Sequence, residues 1–170
     1  MVRHEAAEAL GALSHTESIP LLKQYLADPS ETVRQTCELA LARIAWASSQ
    51  NTQGAEEEGS GGDGGGQFAN VVDPAPPAKG GDLGVLKRQL NDQGLALFER
   101  YRAMFRLRDI GTKEAIDALA SGFGDPSALF KHEVSSHPPS FFPFIPLTKN
   151  RLRSYSDSSR IPIASPPSSP

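Results

Sequence analysis

The sequence matches itself when shifted by 31 residues. Val2, Arg3, Ala9 and Leu10 recur as Val33, Arg34, Ala40 and Leu41. The expected core stripe of the first copy, Val2, Ala6, Ala9 and Leu13, falls on Val33, Cys37, Ala40 and Ile44. Asp28-Pro29-Ser30 returns as Asp125-Pro126-Ser127, each a stop for one helix and a start signal for the next. Apolar residues recur at helical spacing in Ile19, Leu22 and Leu26, in Tyr101, Phe105 and Ile110, and in Ile116, Leu119 and Phe123. A period of about 30 with two short helices per unit is the signature of an α-solenoid. One such unit cannot bury its apolar stripe alone, so the units must stack. The predicted class is all-α: fragments of an α-α superhelix.

Composition divides the chain. Residues 1–46 and 82–134 carry the helical pattern, with net charges of −2 and 0. Between them, residues 47–81 have a net charge of −4, and Gly54–Gly66 alone holds 7 of the 15 glycines. Glycine loses the most backbone entropy on ordering and like charges repel, so this stretch reads as a flexible linker. Pro74, Pro76 and Pro77 stiffen its far end. Residues 135–170 hold 8 of the 14 prolines and ten serines, and read as a disordered tail. The repeat pattern starts inside the second helix of a unit and stops at Val134, so the reading expects a partial solenoid.

Several classes are excluded. No run of 18 apolar residues predicts a membrane span. Met1-Val2-Arg3-His4-Glu5 lacks the apolar core of a signal peptide. Cys37, the single cysteine, has no internal disulfide partner and is expected to be inert core packing. A net charge of −3 gives no field that favours nucleic acid. The expectation is a soluble cytoplasmic protein.

Two of the four histidines, His4 and His132, are followed directly by glutamate, Glu5 and Glu133. Both pairs stand at the same register of the repeat, and Tyr101-Arg102 stands at that register 31 residues before His132-Glu133. With about 100° per residue, His4 is expected to point away from the core stripe. A solvated helix face explains one such pair. Repeated placement suits metal binding, because imidazole and carboxylate together suit Fe(II). One dipeptide supplies at most two ligands, so a site needs pairs from stacked units.

The residues now resemble a known family. Met1-Val2-Arg3-His4-Glu5-Ala6-Ala7-Glu8-Ala9-Leu10-Gly11-Ala12 is similar to deoxyhypusine hydroxylases, the HEAT-repeat monooxygenases. So are Val72-Asp73-Pro74-Ala75-Pro76-Pro77, Phe98-Glu99-Arg100-Tyr101-Arg102-Ala103-Met104-Phe105 and Ser127-Ala128-Leu129-Phe130-Lys131-His132-Glu133-Val134. The resemblance covers roughly residues 1–134. It implies two halves of four HEAT-like repeats each, joined by a linker, with two His-Glu pairs per half. It implies a di-iron centre, Fe(II) with O₂ as co-substrate, that hydroxylates deoxyhypusine on eukaryotic initiation factor 5A. His4-Glu5 resembles the second pair of the first half, and His132-Glu133 the first pair of the second. On that resemblance His4, Glu5, His132 and Glu133 are candidate iron ligands, and Glu133 is also the candidate catalytic glutamate that faces the substrate.

The departures matter as well. In the family each iron takes two histidines and a carboxylate from one half, and here each half retains one pair. The expectation is therefore a chain without hydroxylase competence on its own. Two other readings stay open: a HEAT-repeat protein-binding module without catalysis, and a relative of the HEAT-like bilin lyases.

Overall fold

The computed structural model describes residues 2–52 and 72–136. Among these, every regular element is helical: α1 (Val2–Ala12), α2 (Ile19–Tyr25), α3 (Glu31–Thr52), α4 (Leu83–Asn91), α5 (Leu97–Ile110), α6 (Lys113–Ala120) and α7 (Ala128–Ser136). Single 3₁₀ turns at Thr16–Ser18 and Ser121–Gly124 lead into α2 and out of α6. No described helix is long and apolar enough to cross a membrane.

Local chemistry sets the helix ends. The Asp82 carboxylate accepts from Val85 N–H (2.9 Å), and Thr112 Oγ1 accepts from Ala115 N–H (3.2 Å), so α4 and α6 begin on side-chain caps. α5 ends at Gly111, whose φ of 64° a side chain would disfavour. The two Asp-Pro-Ser loops act alike. Asp28 Oδ1 accepts from Ser30 N–H (2.9 Å), and Asp125 Oδ1 accepts from Ser127 N–H (2.8 Å). Each aspartate also takes an arginine 25 residues upstream: Arg3 at 3.0 Å from Asp28, and Arg100 on Asp125. Burial alone would raise the Asp125 carboxyl. Hydrogen bonds from Gln93, Arg100 and the Ser127 N–H outweigh it and hold the group below the usual carboxylate range.

α3 joins two packed clusters. Its Val33, Cys37, Ala40 and Ile44 bury against Ala7 and Leu22, with Leu10 and Ile19 alongside. Its Leu39, Ala42 and Trp46 turn the other way, against the cluster of Leu86, Leu90, Tyr101, Met104, Phe105 and Phe130. Each unit thus presents one face to the unit before it and another to the unit after it, as stacking requires.

That asymmetry corrects the expectation for α1. Val2 is 83% exposed and Leu13 75% exposed, and Ala6 and Ala9 face solvent too. The buried face is the opposite one, Ala7 and Gly11, with His4 half-buried beside them. On α3 the Val33–Ile44 stripe covers the preceding unit. On α1 the equivalent stripe has no helix against it among the described residues, while Ala7 and Gly11 take the forward contact. A Cβ on Gly11 would lie 2.8 Å from Ala40 Cα, so glycine permits this crossing. Leu22, Tyr101, Phe105 and Leu119 are buried as the spacing predicted, whereas Leu26 and Phe123 are exposed.

The stretch read as linker is shorter than 47–81. Helix α3 continues to Thr52 through residues with no helix breaker. At the other end, Asp73 and Ala75 are buried. Arg108 holds Asp73 with two hydrogen bonds of 2.7 Å, Ala78 N–H donates to Arg102 O (2.9 Å), and Arg102 Nε donates to Pro76 O (3.3 Å). Residues 53–71 lie outside the described residues. The tail reading also falls outside them, apart from Ser135 and Ser136, which complete α7 and donate to His132 O (2.7 and 2.9 Å).

Candidate functional site

α1, α3, α5 and α7 meet along one seam. A small cavity of about 20 Å³ opens there. Glu8 of α1, Thr36 of α3, Tyr101 of α5, and Leu129 and Glu133 of α7 line it, with Pro74 at its edge. The cavity therefore collects residues from both helical blocks. Gln35 Nε2 donates to Glu31 (3.0 Å), and Ser127 Oγ donates to Gln35 Oε1 (2.7 Å), so a polar bridge also crosses the seam.

Of the candidates read from the sequence, Glu133 lines this cavity. His4, Glu5 and His132 do not. His4 is 18% exposed in its side chain, and its Nε2 lies 3.0 Å from Glu5 Oε1. Its Nδ1 is buried without a hydrogen-bond partner. His132 is exposed at the middle of α7, with Ser136 Oγ 3.4 Å from Nε2. Helical geometry explains the split: adjacent residues differ by about 100°, so when Glu133 turns to the seam His132 turns out.

The sequence reading missed two seam residues. Glu8 lies one turn after His4, on the helix face expected to point away from the core stripe. Tyr101 was read as core, which it is, but its hydroxyl adds a polar group to that core. Burial pushes the Tyr101 phenol up, and the charges of Glu133, Glu8 and Asp125 push it further, against a weaker opposing effect of Arg100. The phenol therefore stays protonated at neutral pH. The ring is held edge-on by Phe105 (centroids 5.9 Å apart) and Phe130 (5.4 Å). Cys37 is buried, and desolvation followed by the Asp28 charge pushes its thiol up, which suits packing rather than nucleophilic chemistry.

Sequence and structure comparisons fit this picture. A family described as HEAT repeats matches residues 1–53, and one described as PBS lyase HEAT-like repeat matches residues 99–125. The deoxyhypusine hydroxylase of Candida albicans is 56% identical over 140 residues, covering 79% of this chain and 42% of that protein. That of Bos taurus is 48% identical over 134 residues, covering 79% and 41%. The chain is a relative of the deoxyhypusine hydroxylases. A solved structure of human deoxyhypusine hydroxylase in complex with glycerol agrees, with a TM-score of 0.67 and 48% identity, covering 79% of this chain and 43% of that one. The lyase-type match spans one repeat, whereas the hydroxylase likeness runs through both helical blocks. The chain spans about two fifths of the length of the curated hydroxylases it matches.

The resemblance implies iron as the metal. An iron of the two-histidine, one-carboxylate type needs three converging donors. Among the described residues no group of three or more histidine, cysteine, aspartate or glutamate side chains converges. The unpartnered His4 Nδ1 is a donor of the right type, but Nε2 already faces Glu5. The described residues do not assemble a complete iron site.

Proposed function

We propose that the chain carries part of the working surface of a deoxyhypusine hydroxylase. The reaction is hydroxylation of the deoxyhypusine side chain of eukaryotic initiation factor 5A, which completes hypusine, in the cytoplasm. Identity of about one half across four fifths of the chain, through both helical blocks, carries this reading. In the complete protein a non-heme di-iron centre would supply oxygen activation. His4, Glu5, His132 and Glu133 are the candidates to contribute ligands to it, and Glu133 the candidate to face the substrate. Alone, the chain is expected to be inactive, because its two His-Glu pairs fall short of two sets of three donors.

The test is iron loading under anaerobic conditions, followed by metal analysis and an assay on the deoxyhypusine form of the factor. We expect fewer than two irons per chain, no turnover, and further loss of iron with His4→Ala or His132→Ala. Iron content indifferent to both substitutions would remove these residues from the ligand set. Two irons per chain with turnover would remove the claim that the site is incomplete.

A further inference from the structure

Tyr101 is fully buried, yet its hydroxyl has no hydrogen-bond partner. A buried hydroxyl left unpaired is costly, so native chains place one where an acceptor is within reach. The cavity beside it offers two carboxylates, Glu8 and Glu133. Among the side chains that line this cavity, hydroxyl donors are Thr36 and Tyr101 only. Thr36 is already committed, donating to Thr32 O at 2.8 Å. Tyr101 is therefore the donor that remains.

Geometry chooses between the acceptors. The Tyr101 ring packs edge-on against Phe130, three residues before Glu133 on α7. Residues three apart on a helix share a face, so Phe130 sets the ring beside the face from which Glu133 projects. Glu133 is half-buried and lines the cavity. We propose that Tyr101 is a positioning residue, its hydroxyl donating to the Glu133 carboxylate and holding that carboxylate at the seam. The meaning of that carboxylate for catalysis rests on the function proposed above, but the contact itself does not. Tyr101 also stands at the repeat register occupied by histidine in the His-Glu pairs. The two units between the pairs thus carry neutral donors, Gln35 and Tyr101, at that register.

Nuclear magnetic resonance on the metal-free chain tests this, so neither iron nor turnover enters. A hydroxyl proton protected from exchange should be visible in the wild-type chain and absent from Tyr101→Phe. Its resonance should move with Glu133→Gln and stay in place with Glu8→Gln. The urea midpoint gives a second reading. A hydroxyl that donates makes Tyr101→Phe lower the midpoint, and the loss should vanish in a Glu133→Ala background. A hydroxyl without an acceptor makes Tyr101→Phe raise the midpoint. That rise, a missing protected proton in the wild-type chain, or a resonance that follows Glu8 instead of Glu133, would overturn the proposal. Failure of the iron and turnover experiments with these signals intact would fault the functional reading alone.

Discussion

Asp73→Ala should destabilise the chain by about 3 kcal/mol. Arg108 sits in the last turn of α5 with its side chain 1% exposed, and Asp73 is 7% exposed. The pair makes two parallel hydrogen bonds of 2.7 Å. Breaking a buried ion pair from one side costs about 3–5 kcal/mol, because the remaining charge stays buried without compensation. The lower end applies here. Arg108 would keep Asp109, which accepts from its Nε (2.9 Å) and Nη2 (2.7 Å), and would keep its position over the Phe105 ring (4.9 Å). With a urea slope of about 1.5 kcal/mol per molar, the midpoint should fall by about 2 M at unchanged slope. Circular dichroism at the helix band measures it. The double variant Asp73→Ala/Arg108→Met should recover most of the loss, since neither charge is then left alone. A fall of less than about 0.5 M in the single variant would refute the reasoning. It would mean that the segment around Asp73 stays solvated and adds nothing to the fold.

Two further outcomes follow from the same contacts. The Asp125 carboxyl is held below its ordinary value in the folded chain, so on acidification the unfolded chain takes the proton first. Its contribution is complete above the ordinary carboxylate range, about pH 4, and is lost as pH falls through the lower folded value. Asp125→Asn should therefore flatten the acid limb of a midpoint-against-pH curve, and an unchanged limb would contradict the assignment. Gly11→Val should cost about 1–3 kcal/mol by forcing α1 away from Ala40. Leu13→Ser, on the exposed face, should change stability by less than about 0.5 kcal/mol. Thermal or urea unfolding of both variants checks the orientation of α1, and the reverse order of costs would restore the original assignment of its core face.

The repeat, the Asp-Pro-Ser loops and the shared register of the two His-Glu pairs were all legible in the sequence. Each is a local matter: helical spacing, helix capping and position within a unit depend on residues a few places apart. The likeness to deoxyhypusine hydroxylases was legible for the same reason, because it rests on short ordered stretches such as Val2–Ala12 and Ser127–Val134. Which side of a helix meets which neighbour is a different kind of fact. Val2 and Val33 occupy the same register, yet one is exposed and the other buried, because among the described residues only α3 has a unit packed against that face. Asp73 could be read as linker until Arg108, 35 residues on, supplied its counter-charge. Glu8 and Tyr101 lay in family-like stretches without a role of their own, and the seam drew them together with Glu133 only once α1, α3, α5 and α7 had stacked. Sequence determined the units and the register of their His-Glu pairs. Tertiary structure decided which of those positions face one another, because burial and charge compensation depend on neighbours that are distant along the chain.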